Sequence, residues 1–89
     1  MEQPVRDLVL KFERALTNQG EAYHRKAYAL HQLAERCIGL EYDHNEHTLQ
    51  YTFGALGVTD LISIKEFNHQ IKVDCTGHAV VEIWLPHIQ

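Results

Sequence analysis

The chain has 89 residues, 45% of them hydrophobic and 22% charged, which is enough for one domain over residues 1–89 and too little for two. That apolar content excludes a disordered chain, and eight basic residues against twelve acidic ones lack the electrostatic footprint that drives binding to nucleic-acid phosphates. No run approaches the ~18 apolar residues of a membrane span, and Met1-Glu2-Gln3-Pro4 lacks the basic and apolar regions of a signal peptide. A soluble cytoplasmic protein is expected, with Cys37 and Cys75 as free thiols.

Pro4 suits the first turn of a helix, and Val5, Leu8, Val9, Phe12, Ala15 and Leu16 recur at steps of three and four. Tyr23, Ala27, Leu30, Leu33, Ala34, Cys37 and Ile38 repeat that period, with Gly39 as the expected stop. Gly20, in Asn18-Gln19-Gly20, predicts a break and therefore a helical hairpin. The competing arrangement is one helix of about 35 residues, because Val9, Leu16, Tyr23, Leu30 and Cys37 keep a seven-residue seam. At about 50 Å that helix would overhang the sheet and call for a second chain.

After Gly39 the apolar period drops to two. Leu40 and Tyr42, then Leu49, Tyr51 and Phe53, alternate with Glu41, Asp43, Thr48, Gln50 and Thr52. Facing apolar residues require Leu40 opposite Tyr51 and Tyr42 opposite Leu49, which sets His44 against His47 across an Asn45-Glu46 turn. In the last hairpin the same test pairs Ile71 with Val81 and Val73 with Ala79, through a three-residue loop with Gly77 left-handed and Cys75 in the turn. Residues 55–67 read as a strand, although Thr59-Asp60 also suits the start of a short helix. The sum is an α+β domain: two N-terminal helices, or one long helix, packed on one face of an antiparallel β-meander of about four strands. The opposite sheet face is mostly polar.

That face carries the leading candidates. If Ala79, Val81, Ile83 and Leu85 point to the core, Val80, Glu82 and Trp84 point away, which exposes the single tryptophan of the chain. Leu10 falls far round its helix from Phe12 and is also expected outside. A last strand at the sheet edge would be able to pair with its own copy across a two-fold axis. After Ile38 only Lys65 and Lys72 oppose seven acidic residues, an acidic surface suited to a basic partner.

Seven histidines supply the other candidates. Asp43-His44-Asn45-Glu46-His47 gathers two imidazoles for a divalent metal, with His69, His78 or Cys75 needed to complete a ligand set. His24, Tyr28 and His31 line one side of the second helix as a ligand-binding strip or an acid–base pair, or form the rim of the core. No cysteine, serine or threonine stands in a recognised nucleophile setting, and no glycine pattern forms a phosphate-binding loop. The expected function is a small non-enzymatic interaction module, homodimeric, that acts on another protein as an accessory, inhibitor or immunity factor. The alternatives are a small-ligand or divalent-metal protein using His44 and His47, and a small enzyme using the His24–Tyr28–His31 strip; otherwise no cofactor is expected.

Overall fold

The computed structural model describes residues 3–67, 71–73 and 75–85. The first apolar period forms α1, Gln3–Asn18. Gly20 then adopts φ 118°, a left-handed conformation that glycine reaches without steric penalty, and a single 3-10 turn at Glu21–Tyr23 leads into α2, His24–Arg36. The hairpin therefore forms and the single long helix does not. Helix α2 ends two residues before the period suggests. Cys37 turns extended (φ −72°, ψ 151°) while its N–H still donates to the Leu33 carbonyl at 3.0 Å. Ile38 is thereby left exposed, and Gly39 opens a strand instead of stopping a helix.

Strands β1, Gly39–Asp43, and β2, Thr48–Phe53, pair with Leu40 opposite Tyr51 and Tyr42 opposite Leu49. The ladder stops at Asp43–Thr48, so the expected facing pair of His44 and His47 does not form. Asp43 Oδ1 accepts the N–H groups of Asn45 and Glu46 at 2.9 and 3.1 Å, and His47 goes to φ 55°. Those bonds satisfy the turn from a side chain and end the pairing early.

Strands β3, Ile71–Val73, and β4, Ala79–Trp84, pair with Ile71 opposite Val81 and Val73 opposite Ala79, and Gly77 is left-handed at φ 86°. The sheet order is β1-β2-β4-β3, all neighbours antiparallel, so β3 and β4 exchange the places a sequential meander would give them. The last strand is thus interior, held by β2 and β3, and has no edge to offer a two-fold copy. Its backbone groups are already used on both sides.

Residues 55–67 hold a helix, not a strand: α3, Val58–Lys65. Gly57 precedes it, and the Asp60 carboxylate reaches back to accept the Gly57 N–H at 2.9 Å. Asp60, Ser63 and Ile64 are buried, a helical spacing, while Leu61 and Ile62 stay exposed. A strand would have put Leu61 and Ser63 on one face with Lys65, so the buried Asp60 decides the local structure.

The three helices cover one sheet face. Val9 and Leu16 of α1, Leu30 and Leu33 of α2, and Ile64 of α3 close over Leu40, Leu49, Tyr51, Phe53, Val81 and Ile83 as one continuous core. No helix among the described residues is long and apolar enough to cross a membrane.

Candidate functional site

The sheet face away from the helices is built by register. Glu41 lies opposite Gln50, which lies opposite Glu82; Asp43 lies opposite Thr48, which lies opposite Trp84; Thr52 lies opposite Val80, which lies opposite Lys72. Alternation sends all of these side chains outward, because their neighbours Leu49, Tyr51, Val81 and Ile83 are in the core. A depression of about 300 Å³ opens over Glu41, Asp43, His44, Gln50 and Glu82. Trp84 is 65% exposed, Val80 is half-buried, and Thr48 is buried next to the indole. Among the described residues Lys72 reaches the row, its Nζ 4.0 Å from Glu82 Oε2. Helix α3 lies on the helical side against α2, on the opposite side of the sheet from Trp84. Leu10 is 38% exposed as expected, but on α1, so it shares no surface with Trp84.

The two turn histidines are organised around an aromatic residue. Tyr42 Oη is 3.1 Å from His47 Nδ1, and the His44 ring meets the Tyr42 ring edge-on at 4.6 Å. Phe12 of α1 packs on His47 at 5.6 Å. Both imidazoles thus pack against Tyr42, and His47 also against α1, instead of facing each other. Among the described residues no three His, Cys, Asp or Glu side chains group as a metal-binding set; His69 and His87 lie outside those residues. Cys37 is half-buried and Cys75 exposed, both as free thiols. Burial pushes the Cys37 thiol up.

The His24–Tyr28–His31 strip is divided. His24 and Tyr28 line a mainly apolar cavity of about 390 Å³ between α2 and α3, with Ala29, Thr59, Ile62 and Ser63. Arg25 and Glu66 close its rim as an ion pair at 2.8 Å. His31 turns the other way, with Nε2 at 2.9 Å from Glu35 and Nδ1 at 3.3 Å from Glu13 of α1. Burial pushes the Glu13 carboxyl above its ordinary value, and His31 opposes the shift.

Behind Glu13 lies a group that the alternating pattern alone placed in the core without a role. Tyr51 is fully buried, and its hydroxyl has no hydrogen-bond partner among the described residues. Burial raises the phenol strongly, with Cys37 and Glu13 adding to it. A buried hydroxyl without a partner costs on the order of 1–2 kcal/mol. Tyr51→Phe should therefore raise stability by about 1 kcal/mol in urea denaturation, and a loss of that size would show that the hydroxyl is satisfied.

The residues that pattern reading did not combine are Glu41, Asp43 and Gln50, which register brings beside Glu82. The signal was present in the hairpin registers, but joining the two hairpins required knowing that β2 lies against β4. No protein-family model, no curated protein and no solved structure matches the chain.

Proposed function

We propose that the chain is a small non-enzymatic interaction module whose open sheet face takes a basic segment of another protein, in the manner of an accessory, inhibitor or immunity factor. One observation carries the reading: Glu41, Asp43 and Glu82 share an exposed face with the 65% exposed Trp84. Carboxylates around a shallow depression attract ammonium and guanidinium groups from solution. An exposed indole beside them stacks on such cations and supplies apolar contact area.

The test uses decalysine as the probe, titrated calorimetrically into the wild-type chain. Saturable binding that weakens at least about tenfold in Glu82→Lys and in Trp84→Ala is expected, since central aromatic and charged anchors each carry about 1.4 kcal/mol or more. Equal binding in both variants would place the contact elsewhere and overturn the reading.

A further inference from the structure

We infer that copies of this chain join head to tail through their sheet edges, β1 of one copy pairing antiparallel with β3 of the next. In that joint Glu41 faces Lys72, Leu40 faces Val73 and Tyr42 faces Ile71. This rests on the reading of the chain as an interaction module; it takes Glu41 from the rim of the open face but uses neither Glu82 nor Trp84.

The sheet order leaves β1 and β3 as the two outer strands. Among the described residues no further strand pairs with either, so each has a row of backbone N–H and C=O groups directed outward. A groove of about 710 Å³ runs along the β1 edge, lined by Val5, Ile38, Leu40 and Tyr42 towards the helices and by Glu41 and Thr52 on the open face. A groove lined from both sheet faces has the shape an added strand fills. On the far edge, Ile71 is 39% and Val73 72% exposed, apolar side chains with little to cover them.

The patterns of the two edges fit. Leu40 and Tyr42 point to the helical side, as do Ile71 and Val73, which pair with the core positions Val81 and Ala79. Glu41 and Lys72 are on the open side. Three antiparallel pairings separate β1 from β3 within one copy, so β3 runs opposite to β1 and the joint continues the sheet in the same sense. The helices of successive copies then stay on one side.

Charge favours this joint over two-fold joints centred on Glu41, Tyr42 or Lys72. Pairing β1 with its own copy about Glu41 sets Glu41 on Glu41, and about Tyr42 it sets Glu41 on Asp43. Pairing β3 with itself about Lys72 sets Lys72 on Lys72. Like charges directly opposite are unfavourable, whereas Glu41 opposite Lys72 is attractive. The Lys72 side chain is 73% exposed and touches Glu82 only at 4.0 Å, so it is available to a neighbour. A joint that uses different edges on its two sides does not close after two copies, so the series grows past the dimer into a ring or an open chain.

The experiment is sedimentation velocity over a range of protein concentrations on the full chain. Wild-type mass should rise with concentration past the dimer. Glu41→Lys and Lys72→Glu, each alone, should weaken self-association about tenfold, because each sets like charges opposite one another. Their equimolar mixture should recover wild-type association, since the lysine introduced on β1 of one variant then meets the glutamate introduced on β3 of the other, and the unaltered edges still match. Recovery also shows that both variants are folded. Trp84→Ala should associate as the wild type does. A monomer at every concentration, a closed dimer, unchanged association in both charge variants, failure of the mixture to recover, or loss of association in Trp84→Ala would each overturn the proposal.

Discussion

Asp60→Ala is expected to lower stability by about 2 kcal/mol. The Asp60 side chain is 4% exposed, its Oδ2 accepts the Gly57 N–H at 2.9 Å, and Arg36 Nε stands 2.7 Å from Oδ1. The Oδ1 contact is a close ion pair whose angle is too bent for a hydrogen bond. Three things are therefore lost together. The first turn of α3 loses its cap, at about 1 kcal/mol, and the Arg36 guanidinium loses its anion. Helix α3 also loses its link to the end of α2. The guanidinium is half exposed and rehydrates readily, so the cost falls mainly on the start of α3, where the Gly57 N–H loses its acceptor. Asp60→Asn retains an acceptor for Gly57 and should fall about midway between the two. Equilibrium urea unfolding measures both; a loss below about 1 kcal/mol in Asp60→Ala would contradict the assignment.

The second large effect is expected from Phe53→Ala, at about 4 kcal/mol. Phe53 is 1% exposed, and its ring lies nearly parallel to that of Tyr51, with centroids 6.3 Å apart and planes at 16°. Across the ladder it meets Ala79, which is too short to fill the space a missing ring would leave. A domain of this size has total stability on the order of 4–13 kcal/mol, so the variant should stand close to unfolding at room temperature. Phe53→Leu keeps most of the volume and should cost about 1.5 kcal/mol or less. A shift below about 2 kcal/mol in Phe53→Ala would mean that the core collapses around the gap.

Much of the fold was legible because the apolar period is clean. Steps of three and four gave α1 and α2, steps of two gave the hairpin registers, and apolar facing fixed Leu40 against Tyr51 and Ile71 against Val81. The end of α2 and the nature of residues 58–65 were not legible. The end of α2 rests on Cys37 turning extended, and α3 buries Asp60 against Arg36, a contact between residues far apart in the chain at a carboxylate that local pattern treats as exposed. The strand order was equally hidden. Nothing in the sequence of β4 distinguishes an interior strand from an edge, so its expected self-pairing failed while the exposure of Trp84 held. The candidate face was half legible for the same reason: Trp84, Val80 and Glu82 follow from alternation in one strand, whereas Glu41, Asp43 and Gln50 join them only through the β2–β4 ladder. The histidines diverged because Tyr42, Glu13 and Glu35 claim their rings.

The most direct measurement is the fluorescence of Trp84, the single tryptophan of the chain, during titration with decalysine at low and then rising salt. Recognition of basic segments at the open sheet face should give a saturable change in indole emission that salt reverses, as expected for pairing with exposed carboxylates. Emission that stays constant while calorimetry registers binding would put the cation on another surface and contradict the assignment.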